Sequence, residues 1–264
     1  MNIEKYKQTL FQDGVVLIKG LFSEEETINF PMIDEKVMSN PTLFGNTIKQ
    51  ENDSSEFFLD FNCWKKVPEI EALVRNIKII SLLKTITETK NIWLHHDNFF
   101  SKTGKADPTP WHTDRPYYVF KGDLNISTWL PFQDVPQECS MTFLKGSHKS
   151  GKMMIPQDES EFLPFDTSNI NSDYAFIDQD FINRHEEISF EMKLGDMVIF
   201  FNDTVHGARG HSFDFSRKSL AIRYLLDGAK LTESYIYANP PYDKMGLKIE
   251  EDGEIPEKWF PRLF

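Results

Sequence analysis

Cysteine is scarce: Cys63 and Cys139 stand far apart, and neither belongs to a CxxC pair. That excludes a zinc ribbon and a disulfide-stapled scaffold, and leaves two reduced thiols as the expectation. Long apolar runs are missing too, since no stretch approaches the ~20 residues that a membrane-spanning helix needs. The opening residues, Met1-Asn2-Ile3-Glu4-Lys5, lack the basic and apolar regions of a secretory leader, so a cytoplasmic location is expected. Basic charge is in deficit, with 29 Lys and Arg against 41 Asp and Glu and a net charge of −12. With no basic stripe to offset that balance, nucleic acid and anionic membrane surfaces are poor partners, and a small-molecule substrate is the expected one. Internal repeats and low-complexity tracts are absent.

What the chain does have is aromatic mass, with 23 Phe, 8 Tyr and 5 Trp among 264 residues. Rings of this kind fill β-sandwich cores or line pockets. The length suffices for one full core, so a single domain over 1–264 is expected. Residues 1–90 read as helix-rich. Ile3, Tyr6, Leu10 and Phe11 have helical spacing, Gly14 ends that run, and Val15-Val16-Leu17-Ile18 reads as a buried strand. Ser23 and Glu26 form a capping box that opens a helix towards Ser39. Pro68 starts a helix expected to reach Glu88, with Ile70, Leu73, Ile77, Ile80 and Leu83 on one stripe.

From residue 91 the pattern turns to strands. Alternation from Asn91 to Lys102 places Ile92, Leu94, His96, Asn98, Phe100 and Lys102 on one face. Further strands are expected over Leu124–Phe132, Met141–Leu144, Met197–Phe201 and 217–226. The intervening stretch 149–187 lacks periodicity and reads as a lid-like insertion. Residues 227–264 form a Pro- and aromatic-rich tail expected to pack on the core. The predicted class is α+β and mainly β: a double-stranded β-helix, or jelly roll, spanning 91–226 and buttressed by N-terminal helices.

The chemistry-bearing stretch is Trp111-His112-Thr113-Asp114. An imidazole and a carboxylate two residues apart point the same way from an extended segment. His206, beyond the apolar strand 197–201, supplies a second imidazole. Two histidines and one carboxylate make the facial set suited to Fe(II), which leaves three coordination positions open. Taken singly, each residue has an ordinary explanation as a loop or core side chain. Arg217, eleven residues after His206 and at the start of the next strand, strengthens the set. A keto acid that chelates iron at one end carries a carboxylate at the other, and a guanidinium fork binds that group bidentately.

These stretches, with Asn98 to Lys102, Thr128-Trp129, Lys145-Gly146-Ser147-His148 and Gly195-Asp196, resemble the phytanoyl-CoA dioxygenase-like family of Fe(II)/2-oxoglutarate-dependent oxygenases. The resemblance covers about residues 90–226, and Phe11-Gln12-Asp13-Gly14-Val15-Val16 looks like the family's opening. It implies that His112, Asp114 and His206 ligate iron as the catalytic centre and that Arg217 holds the distal carboxylate of 2-oxoglutarate. Trp129 and Asn98 match positions that contact the cosubstrate, and His148 is read as structural. Thr113 stands where the family often has Gln, and Ala208 where some relatives carry a hydroxyl. Halogenating relatives replace the metal carboxylate with a small residue, so Asp114 favours hydroxylation.

The resemblance implies a dioxygenase using Fe(II), 2-oxoglutarate and O2 to hydroxylate a C–H bond, releasing succinate and CO2. Phe100, Lys102, Arg115, Tyr117 and Arg223, near the motif or on the Arg217 strand face, are candidate substrate contacts, and they suit a small polar or anionic metabolite. His95 and His96 are neighbours on one strand, so only one is expected to face inward. His185 and His211 read as loop residues. The competing readings are a cupin-like hydrolase or isomerase without a keto acid, a jelly-roll binding protein, or an oxygenase acting on a protein or acyl-CoA. The cupin-like reading keeps the triad but has no need for Arg217 or Trp129, and in the binding protein the triad would be coincidental.

Overall fold

Helix α1 (Ile3–Asp13) is capped by the Asn2 side chain and ends at Gly14, whose φ of 83° is a left-handed closure that glycine adopts without strain. Strand β1 (Val15–Ile18) follows at once. The computed structural model describes residues 2–49, 56–104, 107–156, 174–210, 215–234 and 238–264. The capping box at Ser23 and Glu26 forms as expected, but α2 (Glu24–Thr27) stops after four residues. Pro31, which has no N–H to give, sits in a 3-10 turn, and the helix resumes only as α3 (Ile33–Ser39). Two short strands, β2 (Asn46–Lys49) and β3 (Glu56–Phe61), lead to the next helical segment.

The single helix expected over 68–88 is two: α4 (Pro68–Val74) and α5 (Ile77–Thr87). Asn76 breaks it, because its side-chain oxygen accepts the Lys78 N–H and starts a new helix instead of continuing the old one. As a result Ile77 leaves the stripe and is 67% exposed, while Ile70, Leu73, Ile80 and Leu83 are buried. Each such side chain withdrawn from water stabilises the fold by roughly 1.5–3 kcal/mol.

The remaining elements are β4 (Ile92–Thr103), β5 (Thr109–His112), β6 (Phe120–Lys121), β7 (Ile126–Pro131), β8 (Met141–Leu144), β9 (Met153–Pro156), β10 (Tyr174–Ile177), α6 (Gln179–Asn183), β11 (Glu187–Ser189), β12 (Met197–Phe201), β13 (His206–Ala208), β14 (Arg217–Leu226) and β15 (Lys230–Leu231). A seven-stranded sheet runs β1-β12-β7-β14-β4-β3-β2, facing a four-stranded sheet β11-β8-β13-β5. Both are antiparallel and open, the jelly-roll arrangement. The outer face of the large sheet (Ile18, Leu130, Ile199, Ile222) packs on the helices through Leu10, Ile70 and Leu83. Its inner face meets the small sheet through Trp129, Phe143, Phe200 and Ala221. At one end the tail seals the core with Tyr242, Leu247 and Phe260.

Three expectations are corrected here. The residues from Ile92 to Lys102 do not share a face, because β4 bulges at His95: Arg223 pairs with His96, and Tyr224 with Leu94. An unpaired extra residue shifts the alternation by one. Ile92 and Leu94 therefore join the helix-packed core, while His96, Asn98, Phe100 and Lys102 face inward. The same bulge brings the His95 and His96 rings to 4.3 Å of each other, so the rule that one must turn away fails. Within 149–187, β9 and β10 form a parallel pair and α6 follows, so this stretch is partly regular. Residues 157–173 of the expected lid, and His211, lie outside the described residues.

Candidate metal centre

His112 closes β5 and His206 opens β13, and the two are direct partners in the antiparallel ladder between these strands. Gly207 permits the approach: a Cβ there would lie 2.7 Å from Thr109 O and 3.2 Å from Pro110 O. Each imidazole is locked by the carbonyl two residues before it. His112 Nδ1 lies 2.9 Å from Pro110 O, and His206 Nδ1 2.9 Å from Thr204 O. A carbonyl can only accept, so both Nδ1 atoms carry the proton and both Nε2 atoms keep a free lone pair.

Asp114 reaches the same point by a route different from the expected strand alternation. The strand stops at His112, and Asp114 caps a 3-10 turn over Arg115–Tyr117 with φ −74° and ψ −31°. Its N–H donates to Asn202 O at 3.0 Å, in the turn that feeds β13. One ligand atom from each of His112, Asp114 and His206 lies within 4.8 Å of the others, a set able to hold a metal ion.

The ionisation states suit a divalent cation. Burial, then the His112 neighbour, pushes His206 down to about 3, and burial likewise lowers His112. Burial alone would raise Asp114, but the Arg223 guanidinium, both imidazoles and the Ser127 hydroxyl outweigh it and hold the carboxyl well below its usual range. Near pH 7 the site therefore presents two neutral imidazoles and one carboxylate, the forms that coordinate metal.

Behind this set lies a row of inward side chains on β4, β14 and β7. Arg217 stands opposite Lys102, Ser219 opposite Phe100 and Pro131, Ala221 opposite Asn98 and Trp129, and Arg223 opposite His96 and Ser127. The Arg217 guanidinium lies over the Trp129 ring at 5.9 Å and donates to Cys139 O. Among the described residues no carboxylate pairs with it. Burial pulls it down to about 10, which leaves it cationic. Ala221 contributes only a methyl between Trp129 and Asn98, and Asn98 Oδ1 is buried without a hydrogen-bond partner among the described residues.

The candidate substrate contacts divide. Arg223 reaches the metal set, with Nε 3.4 Å from Asp114 Oδ2. Arg115 instead clamps Asp203 at 3.1 Å, joining the two turns that carry the ligands. Lys102 bonds Thr109 Oγ1 at 3.0 Å and lies over Phe57, and Phe100 stacks on the same ring. Tyr117 is buried in the 3-10 turn. Thr113 docks the neighbouring strand by donating to Met154 O at 3.1 Å. His148 stacks on Phe201 and does not approach the metal set. Sequence reasoning missed Ser127 and Asn202, which flank Asp114, while Tyr118, directly after the motif, accepts from Arg223 Nε. Ser127 could have been found as the residue two before Trp129 on the same strand face.

Fold and site together define a jelly-roll protein with a largely buried two-histidine, one-carboxylate set and, on the inner face, an arginine with no carboxylate partner among the described residues. The chain belongs to the phytanoyl-CoA dioxygenase (PhyH) family, whose model matches residues 35–219. Among curated proteins nothing matches it. Solved structures similar to it include the non-heme alpha ketoglutarate dependent epimerase SnoN from nogalamycin biosynthesis, at 18% identity over 99% of this chain and 98% of that one, TM-score 0.74. The carbocyclase SnoK from the same biosynthesis is similar at 17% identity over 98% and 95%, TM-score 0.74. EctD from S. alaskensis is similar at 17% over 89% and 80%, TM-score 0.68. At these identities the likeness shows the shared fold. No helix among the described residues is long and apolar enough to cross a membrane.

Proposed function

We propose that this chain is an Fe(II)- and 2-oxoglutarate-dependent dioxygenase that hydroxylates a C–H bond of a small polar or anionic molecule, acting as one domain over 1–264. The observation that carries the reading is the convergence of His112, Asp114 and His206, with both imidazoles locked to offer Nε2, in front of a cationic Arg217 that pairs with no carboxylate among the described residues. Iron would be held by those three side chains, and the donor set fits it. Arg217 would take the far carboxylate of 2-oxoglutarate in its fork, with Trp129 walling that ion pair and Asn98 and Ala221 flanking the path between. When bound, iron and 2-oxoglutarate supply the activation of O2, with succinate and CO2 as co-products.

The protein's own part is geometric and electrostatic. The carbonyls of Pro110 and Thr204 orient the imidazoles, the Trp129 ring lies under the guanidinium at 5.9 Å, and packing of His206 on Phe200 at 4.8 Å fixes its tilt. Retention of a carboxylate at Asp114 supports hydroxylation over halogenation, since it occupies the position a halide would need. SnoN and SnoK are described as an epimerase and a carbocyclase, while an EctD structure holds 5-hydroxyectoine. One fold thus carries several outcomes, and product mass separates them: a gained oxygen for hydroxylation, an isomer for epimerisation, two hydrogens lost for ring closure.

Anaerobic addition of Fe(II) and then 2-oxoglutarate tests the reading. A charge-transfer band near ~500 nm is expected from the chelate at an open facial set. Absence of the band in the wild-type chain, or its persistence in His206→Ala, would overturn the assignment.

A further inference from the structure

The two oxygens of Asp114 have different surroundings. Oδ1 lies 3.8 Å from His206 Nε2, towards the second imidazole of the metal set. Oδ2 accepts the Ser127 hydroxyl at 3.0 Å and lies 3.4 Å from Arg223 Nε. Arg223 is only 7% exposed and is itself held by Tyr118, whose phenol oxygen lies 2.9 Å from the same Nε. Ser127 Oγ is also 2.8 Å from the Asn202 side-chain amide. Ser127 has one hydroxyl proton, and the charged Asp114 oxygen is the stronger acceptor. The atom placed there is Asn202 Oδ1, which leaves the buried Nδ2 without a partner among the described residues; we assign the amide the other way round, with Nδ2 donating to Ser127 Oγ.

We propose that Arg223, Ser127 and Asn202 form a positioning cradle that engages Asp114 Oδ2, so that Asp114 offers the metal Oδ1 alone. The proposal rests on the metal reading above. A carboxylate with both oxygens free can chelate a cation through two positions, and one of those would come from the three that cosubstrate and oxygen need. With Oδ2 committed, the carboxylate takes one position. Arg223 is a cation sharing the charge of a metal ligand, unlike the neutral or anionic partners that strengthen metal ligands. Its presence therefore costs metal affinity while preserving open positions.

That opposition makes a test that a merely structural role would not pass. Full-length chain, with Co(II) as the probe, is titrated anaerobically by calorimetry and visible absorption, then titrated with 2-oxoglutarate. In Arg223→Met, Co(II) should bind about tenfold tighter, the scale of an outer-shell change. 2-Oxoglutarate should bind about tenfold more weakly, and the cobalt d–d bands should lose intensity as the coordination number rises. Ser127→Ala, a smaller change at the same oxygen, should weaken 2-oxoglutarate binding with little change in Co(II) affinity. A folded Arg223→Met with unchanged spectrum and affinities, or with both affinities lowered together, overturns the cradle. If Arg223→Met does not fold, unchanged cosubstrate affinity in Ser127→Ala overturns it. Failure of wild-type chain to bind Co(II), or equal binding by His206→Ala, overturns the metal reading itself, so the two failures are distinguishable.

Discussion

His112 and His206 are ninety-four positions apart in the chain, yet they face each other across one rung of an antiparallel ladder, with ring centroids 4.3 Å apart. Each presents Nε2 because its Nδ1 proton is committed to a carbonyl two residues earlier. Replacing either by Ala removes one of three ligands, and Fe(II) affinity should fall at least about a hundredfold with loss of turnover. Equilibrium dialysis of Fe(II) under argon, together with succinate release, measures this. Near-native iron binding in both variants would refute the ligand set.

Arg217 is tested by Arg217→Lys as well as by Arg217→Ala. The lysine keeps the charge but loses the fork, so it should restore only part of the 2-oxoglutarate affinity lost in the alanine variant. Loss of the charged partner should cost roughly 2–3 kcal/mol, on the order of a hundredfold in cosubstrate KM. Iron affinity without cosubstrate should not change. Equal KM values in all three proteins would show that another cation holds the keto acid.

The metal-free fold should weaken on mild acidification. Burial pushes His95 and His206 down to about 3, against roughly 6.5 in an unfolded chain, and it lowers His96, His112 and His148 as well. Between those values the unfolded chain binds more protons, so stability is complete above about pH 6.5 and declines as pH falls towards 3. Asp97, pushed up to about 7 by burial, and Asp203, which burial also raises, work in the opposite sense but are two groups against five. Going from pH 7 to 5 should cost about 2 kcal/mol per fully buried histidine. His95→Phe should flatten the urea-midpoint profile by one such increment, and an unaltered slope would show that His95 is not buried neutral.

Thr113 ties the metal motif to β9 through a buried hydrogen bond to Met154 O. Thr113→Val keeps the shape but strands that carbonyl, at a cost of about 1–2 kcal/mol. The loss should be local: hydrogen exchange should quicken over Met153–Pro156 more than in β14, while Fe(II) affinity stays near wild type. Uniform acceleration across both strands would assign Thr113 to global stability instead.

The site was legible in the sequence because its chemistry needs particular side chains. The roles proposed for His112, Asp114, His206 and Arg217, coordinating iron and forking a carboxylate, admit few other side chains, and their spacing survives as a pattern. The surroundings of Asp114 were not legible. Ser127 and Asn202 are common residue types whose role depends on a pairing register, and Tyr118 acts only because β14 carries Arg223 towards it. The helices show the same division: the capping box at Ser23 was readable, yet Pro31 and Asn76 each broke a helix that periodicity alone would have continued.

What the sequence determined by itself was the inventory: an acidic chain, apolar stripes for helices, β-rich alternation after residue 91, and the four residues proposed to carry the chemistry. Periodicity and ligand chemistry are local properties, and they can be read one segment at a time. Tertiary structure alone decided how Asp114 enters the site, through a turn pinned to Asn202, and that a bulge at His95 places His96 and Arg223 on one inner face. Both depend on which strands pair and in what register. A shift of one residue turns every following side chain to the other face, and only the assembled sheet sets that register.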